Sequence, residues 1–291
     1  MLFQRTGQLW VTHTPAKLNL FLEVIDRRED GFHELEMFMV AVDLYDTLTF
    51  RTPELPTSQP MKLSVRSLVP AEIPTDQRNL VVKAVDLLRT ETGCELPVHI
   101  ELTKRIPVQA GLGGGSSDAA ATLVTLNRMW QLGLSHADLH RLAARLGSDL
   151  NFFVEQSAAA VCTGRGEAIQ SLDKVASELH FVIVHPGWGL STAEVFKRSE
   201  LPIEPQSLEE FVSGFEAGNP SLFNRLTEAA KQIRPEVTAL AGLFSVKNSM
   251  SGSGSAWYGI VPSRRAATRL ANRLRANQLV QTAFAVSMTA S

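Results

Sequence analysis

The residues best placed to do chemistry lie in Ile106-Pro107-Val108-Gln109-Ala110-Gly111-Leu112-Gly113-Gly114-Gly115-Ser116-Ser117-Asp118-Ala119-Ala120-Ala121. Four glycines and two serines lead into an alanine-rich segment that favours helix. Glycine lets a backbone approach a ligand closely and adopt positive φ. The helix start behind it presents unpaired N–H groups and the positive end of the helix dipole. That combination binds phosphate. The stretch lacks the Gly-Lys-Ser/Thr ending of a Walker A loop, and Ser116 stands where the dinucleotide fingerprint has its third glycine. Taken alone, it also reads as a flexible turn capped by Ser116 or Ser117.

Four shorter stretches add other groups. In Pro15-Ala16-Lys17-Leu18-Asn19, Lys17 interrupts an apolar, strand-like segment, so its ammonium either reaches solvent or meets an anion. Asn19, two residues on, points the same way as Lys17 on a strand. Gly31-Phe32-His33 sets an aromatic face beside an imidazole, although a loop histidine is ordinarily a surface residue. Gly147-Ser148-Asp149 puts a carboxylate after a helix, where aspartate is ordinarily a cap or turn residue. Ser251-Gly252-Ser253-Gly254 reads either as a turn or as a second nest of backbone N–H groups for a phosphate.

The elements that would position these groups follow from pattern. Strands are expected at Leu18 to Ile25, with Pro15 marking the entry, at Leu35 to Val42, at Asp46 to Phe50, and at Met61 to Arg66, where apolar and polar residues alternate. Thr52 to Pro60 is a proline- and serine-rich loop. A helix over Leu80 to Leu88 takes Asn79 as its N-cap, and a strand over Leu96 to Leu102 feeds the glycine loop. Behind the loop a helix spans Ser117 to Trp130, with Ala119, Leu123, Leu126 and Trp130 on one face. Ser135 caps a helix that ends at Gly147. Ala158 to Gly166 contains a strand and the turn Thr163-Gly164-Arg165-Gly166, and a boundary is expected near residues 155 to 178. Beyond it come a strand at Phe181 to Val184, and helices at Ser191 to Arg198, Leu208 to Phe215, Pro220 to Lys231 and Pro235 to Leu243. An apolar strand at Ala256 to Val261, an Arg/Ala-rich helix and a strand at Val280 to Val286 complete the chain. Interleaved but partly segregated strands and helices favour an α+β plan over regular βα units.

Composition narrows the classes. With 291 residues, 44% of them hydrophobic, the chain suits one large domain or two ordinary ones. A formal net charge of −2 gives no general attraction to nucleic acid or to an anionic membrane, so an anionic substrate needs local groups to hold it. Cys94 and Cys162 stand alone, without the spacing of a zinc site or a disulfide framework. The absence of a long apolar stretch argues against a bilayer span, and the first residues lack a signal-peptide core. A reducing cytoplasm is the expected setting.

The five stretches together carry more than each alone. Pro15 to Leu20, Pro107 to Ala121 and Met250 to Gly254 resemble, in order, the three motifs of the GHMP kinases (galacto-, homoserine, mevalonate and phosphomevalonate kinases). Lys17-Leu18-Asn19-Leu20-Phe21-Leu22 followed by Arg27-Arg28-Glu29-Asp30-Gly31-Phe32-His33-Glu34-Leu35 resembles the 4-diphosphocytidyl-2-C-methyl-D-erythritol kinase family within them. So do Leu146-Gly147-Ser148-Asp149 and Gly164-Arg165-Gly166-Glu167. The resemblance covers residues 14 to 262.

It implies a two-domain α+β fold. Residues 1–165 would be a ribosomal protein S5 domain 2-like, ATP-binding domain, and residues 166–291 a ferredoxin-like substrate domain. It implies an ATP- and Mg²⁺-dependent kinase that phosphorylates the 2-hydroxyl of a small substrate carrying cytidine diphosphate, in the non-mevalonate route to isoprenoid precursors. Oligomeric state is left open. Asp149 matches the catalytic aspartate, which orients or deprotonates the alcohol, and Lys17 matches its partner lysine. The resemblance assigns ATP to Pro107, Ala110, Gly111, Leu112, Gly113, Gly114, Gly115, Ser116 and Ser117, with Asn79 and Lys104 near the adenine. It assigns substrate to Asn19, Phe32, His33, Gly252 and Ser253, with Phe32 and His33 at the cytosine. No metal ligand is firmly assigned, although Ser117 or Asp118 at the helix start could meet Mg²⁺. Asn151 stands where the family commonly has proline, which would leave Asp149 on a looser loop. Gln109 is also less usual in its position.

Another GHMP kinase, of mevalonate or homoserine type, would share the loops but has no use for Phe32 and His33. A non-catalytic nucleotide-binding regulator would need neither Lys17 nor Asp149. Asp149→Asn is therefore expected to lower phosphoryl transfer by about 10²–10⁴-fold with ATP binding retained. A variant that kept more than about a tenth of wild-type kcat would remove Asp149 from that role.

Overall fold

The computed structural model describes residues 1–54, 59–172 and 179–289. Residues 55–58 of the expected loop, and residues 173–178 within the expected boundary, lie outside the described residues. The chain forms two compact units, neither continuous in sequence. The first holds residues 1–16, 45–106 and 113–156; the second holds 17–44, 107–112 and 157–291. These units do not follow one cut at residue 165.

In the first unit, β1 (Leu2–Thr6) pairs antiparallel with the start of β2 (Leu9–Arg27). The later part of β3 (His33–Arg51) pairs antiparallel with β5 (Val98–Lys104), and β4 (Met61–Ser67) runs parallel to β5. The parallel pair is joined through α1 (Leu80–Thr92), as a parallel connection requires. Asn79 caps α1 by accepting from the Val81 N–H at 2.9 Å, and Gly93, at φ 67°, ends it. α2 (Gly114–Met129) begins three residues before the expected start, so the glycine loop runs into the helix. Its small residues are buried almost all round, from Ser117 to Leu126, not on one face alone. α3 (His136–Leu146) opens with a capping box between Ser135 and Asp138, and α4 (Leu150–Glu155) follows.

In the second unit, the early part of β3 pairs antiparallel with β6 (Ala159–Gly164), which pairs with β7 (Ala168–Ser171). The two-residue β9 (Phe223–Asn224) lies parallel to β2 at Phe21 and Leu22. A separate antiparallel sheet has the order β10-β11-β8-β12, from β8 (His180–His185), β10 (Asn248–Met250), β11 (Trp257–Val261) and β12 (Thr282–Ser287). α5 (Thr192–Arg198), α6 (Leu208–Glu216), α7 (Leu226–Ile233), α8 (Glu236–Ala241) and α9 (Arg264–Leu274) accompany these strands. α9 packs on β8 and β12. α6 sets Phe211 and Phe215 on one face, where they meet Phe21 and Phe38 at ring-centroid separations of 5.3 and 4.5 Å.

Three expectations are corrected. β2 is 19 residues long, with Pro15 inside it instead of at its entry. Pairing with β1 ends opposite His13 and pairing with β9 begins at Phe21, so the missing N–H of Pro15 falls where that edge has no partner strand. The two strands expected at 35–42 and 46–50 are one, β3. Asp43 is accommodated because it accepts from the Ser287 N–H at 2.7 Å and from Arg264 at 2.5 Å. The helix expected from Pro220 starts only at Leu226, after β9.

Glu23 is fully buried in β2 and accepts both guanidinium bonds of Arg225, at 2.7 and 2.6 Å, together with the Gln206 N–H at 2.9 Å. Removing one partner of a buried pair leaves a costly charge behind. Arg225→Leu is expected to lower stability by about 3 kcal/mol, the lower end of that range because Arg225 is partly exposed. Urea unfolding would measure it, and a loss below about 1 kcal/mol would show that the pair does not hold α7 to β2.

Candidate active site

The second unit assembles Lys17, Asn19, the 107–112 part of the glycine loop and the Ser251–Gly254 loop. On the bare edge of β2, the Lys17 N–H donates to the Leu112 carbonyl at 3.0 Å, and the Asn19 N–H donates to Ser251 Oγ at 3.3 Å. Ser251 Oγ donates in turn to the Gly111 carbonyl at 2.9 Å, and the Ala256 N–H reaches the Ala110 carbonyl at 3.0 Å. A Cβ on Gly111 would stand 1.9 Å from the Ser251 carbonyl oxygen, and its φ is +73°, so only glycine fits. Pro107, Ala110 and Leu112 are buried. Gln109 is exposed with φ 51°.

Lys17 is 3% exposed, and its Nζ donates to Asn19 Oδ1 at 2.5 Å. The reading of Lys17 as a solvent-facing lysine does not survive that burial. A Cβ on Gly252, itself at φ +55°, would lie 3.3 Å from Lys17 Nζ, so the ammonium stands against this loop. Asn224 was not picked out from sequence, yet its Nδ2 donates to the carbonyls of Met250 and Gly252, each at 2.8 Å. The helix expected over Pro220 to Lys231 would have put it inside, so no local signal marked it; the structure starts α7 only at Leu226. The Ser253 hydroxyl pairs with Thr192 at 2.9 Å.

His33 opens β3. Its ring lies 5.1 Å from that of Phe196 on α5, a neighbour that no local pattern announces. His33 Nε2 is buried and has no hydrogen-bond partner among the described residues. Burial, and then the nearby Arg27 charge, push the imidazole below its ordinary pKa, so it is neutral at pH 7. Phe32 is half exposed, with the Arg165 guanidinium 4.7 Å above its ring. Asn19 Nδ2 touches Met37 Sδ at 3.4 Å, and Met37 is four residues beyond His33 on the same strand. The Lys17–Asn19 pair and His33 are thus separated by about 13 Å of strand.

In the first unit, Gly113 at φ 69° is the N-cap of α2 and makes no side-chain cap bond, which excludes capping by Ser116 or Ser117. The first N–H groups of α2 are left for a ligand. Beneath the loop lies a buried triad. Lys104 donates to Asp46 and, at 2.7 Å, to Asp118; Asp46 also accepts the N–H of Arg105 at 2.5 Å and of Ile106 at 2.9 Å. Burial raises the Asp118 pKa well above the carboxylate range, Lys104 opposes that, and Asp46 adds to it. Burial pulls Lys104 down, but its two carboxylates outweigh this and hold it charged. Lys104 is 2% exposed, so its ammonium is committed beneath the loop. Asp46 and its role were not legible in the sequence.

Asn79 is occupied in capping and in a 2.7 Å bond from Nδ2 to the Pro74 carbonyl. Ser117 Oγ donates to the Pro15 carbonyl at 2.6 Å and is fully buried. Asp118 is 2% exposed. Neither fits as an open Mg²⁺ ligand, and that expectation is withdrawn. Asp149 is the N-cap residue of α4, half-buried, and its side chain makes no capping bond. Asn151 lies inside α4 and is 4% exposed, so the looser loop is also corrected: a helix, packed on α2 and α3, follows Asp149 directly.

The α+β fold with these two small-residue loops defines a GHMP kinase. A model of the GHMP kinases N terminal domain matches residues 79–164. L. major mevalonate kinase, in complex with R-mevalonate, shares the fold at TM-score 0.65 and 17% identity over 99% of this chain and 97% of its own. A crystal structure of 4-(cytidine 5'-diphospho)-2C-methyl-D-erythritol kinase aligns over 97% of this chain and 100% of its own, at TM-score 0.79 and 31% identity. The 4-diphosphocytidyl-2-C-methyl-D-erythritol kinase of Shouchella clausii is 38% identical over 90% of this chain and 89% of that protein. The enzyme of that name from Delftia acidovorans is 39% identical over 83% of each chain. The chain belongs to the 4-diphosphocytidyl-2-C-methyl-D-erythritol kinase family.

The glycines separate fold from ligand. A Cβ on Gly114 would meet Lys104 Nζ at 2.8 Å and Ile106 at 2.9 Å, whereas one on Gly115 would meet only Leu80, at an ordinary 3.7 Å. Gly114→Ala should destabilise the protein. Gly115→Ala should fold normally and bind ATP about tenfold more weakly, equivalent to about 1.4 kcal/mol. Calorimetry with a non-hydrolysable ATP analogue checks this, and unchanged affinity would detach the α2 start from the phosphates.

Proposed function

We propose that this protein transfers the γ-phosphoryl group of ATP to the 2-hydroxyl of 4-diphosphocytidyl-2-C-methyl-D-erythritol, a step of the non-mevalonate route to isoprenoid precursors. The observation that carries the substrate is His33. An aromatic neighbour and a buried ring nitrogen without a partner suit a base, which offers a face to stack on and a polar edge. The strand spacing between His33 and the Lys17–Asn19 pair suits a molecule with cytosine at one end and the reacting alcohol towards the other.

In this reading the α2 N–H groups and the glycine loop hold the triphosphate, while Lys104 supports the loop from beneath and Asn79 caps α1. Asp149 orients the 2-hydroxyl and takes its proton as the oxygen bonds to phosphorus and the bond to ADP breaks. Lys17 counters charge on the transferring group, and Asn19, Gly252 and Ser253 hold the alcohol end. Mg²⁺ arrives on ATP and neutralises phosphate charge; no residue is assigned as its ligand. Residues 1–165 would hold ATP, and residues 166–291, together with Asn19, Phe32 and His33 from the earlier segment, the substrate. A cytoplasmic setting, where ATP is made available, belongs to the same proposal.

His33→Ala is expected to raise KM for the cytidine diphosphate substrate with much less effect on KM for ATP. A polar pocket discriminates strongly because a mismatched ligand leaves buried groups unpaired. The measurement is the inhibition constant of CDP against both proteins, each verified as folded by circular dichroism. Weaker inhibition of the variant supports the cytosine assignment. Equal constants would sink it and leave a GHMP kinase acting on another alcohol.

A further inference from the structure

His136 and His140 lie one turn apart on α3, so both imidazoles leave the same side of the helix. Glu155, the last residue of α4, meets them there. His140 Nε2 is 3.1 Å from Glu155 Oε2, and His136 Nε2 is 3.6 Å from the same oxygen. The two rings stand edge to face at 4.5 Å. One donor atom from each of the three residues lies within 4.8 Å of the other two.

Two imidazoles and a carboxylate are a borderline-soft donor set, and an i, i+4 histidine pair with a glutamate is a known way to hold zinc. A tetrahedral ion bound at about 2.1 Å keeps its donor atoms about 3.4 Å apart. The separations of 3.1 and 3.6 Å bracket that value. We propose that His136, His140 and Glu155 form a binding site for a divalent transition metal of the Zn²⁺ class, with the fourth position open to water.

Imidazole nitrogen disfavours the hard cations, so Mg²⁺ brought by ATP does not compete well for this site. Occupation ties the C-terminal end of α4 to α3. The opposite end of that six-residue helix is Asp149, so the ion braces the segment that carries it. The other reading of the cluster is a histidine–carboxylate hydrogen-bond group, which needs no ion.

The test uses tag-free, full-length protein stripped with a chelator and titrated with ZnCl₂ by calorimetry in the presence of excess Mg²⁺. One equivalent of Zn²⁺ is expected, with a rise in Tm on binding. The double variant His136→Ala/His140→Ala is expected to lose about 100-fold in affinity. Co²⁺ in place of Zn²⁺ should give visible absorption bands of tetrahedral nitrogen–oxygen coordination, absent in that variant. His136 is 58% exposed, so His136→Ala alone keeps the fold if the double change does not, and it too should weaken Zn²⁺. No stoichiometric Zn²⁺ in the wild type overturns the proposal. Undiminished Zn²⁺ in the variants does as well, since it moves the ion to other histidines or to Cys94. Neither result bears on the kinase assignment, which rests on family membership, or on the cytosine assignment, which rests on His33.

Discussion

The second unit depends on one close approach of backbone. Gly111 passes the Ser251 carbonyl at a distance that excludes any side chain, and the contact is locked by the Ser251 hydroxyl and by the Ala256–Ala110 bond. Both loops then reach the bare edge of β2, between the last residue paired with β1 and the first paired with β9. Strand N–H groups that would otherwise seek another strand are satisfied there by Leu112 and Ser251. The same edge presents Lys17 and Asn19. A gap in the sheet thus gathers both loops beside Lys17 and Asn19, and the small residues of both loops follow from how near they must come.

Buried charge is the second constraint, and it is met by specific partners in each case. Lys104 lies between two aspartates, Glu23 faces a bidentate arginine and the Gln206 N–H, and Lys17 rests on Asn19 against a loop backbone. Isolated charges at such depth would cost several kcal/mol each. The Lys104 triad lies directly under the glycine loop, so its geometry fixes the height at which the α2 N–H groups are offered. Glu23 and Arg225 do a parallel task for α7. Asn224, next to that arginine, pins the Ser251–Gly254 loop through two carbonyls.

What the chain by itself determined is local. Glycine spacing before a small-residue helix marks a phosphate loop wherever it is placed, since φ freedom and helix-end N–H groups are properties of a few adjacent residues. Caps at Asn79 and Ser135 and the helix end at Gly147 were readable for the same reason, whereas the Lys17, His33, Asp149 and Ser251 stretches stood out through the family resemblance. What tertiary structure alone decided involves partners distant in sequence. β3 runs unbroken through Asp43 and Asp46 because Arg264, Ser287, Lys104 and two N–H groups meet those carboxylates. Lys104 and Ser117 proved to be buried supports because Asp46, Asp118 and Pro15 converge on them. Phe196 and Asn224 join the site from positions more than a hundred residues beyond His33 and Gly111, and the units interleave in sequence. No local pattern encodes such pairings, because burial and hydrogen-bond satisfaction are set by whichever groups the fold brings together.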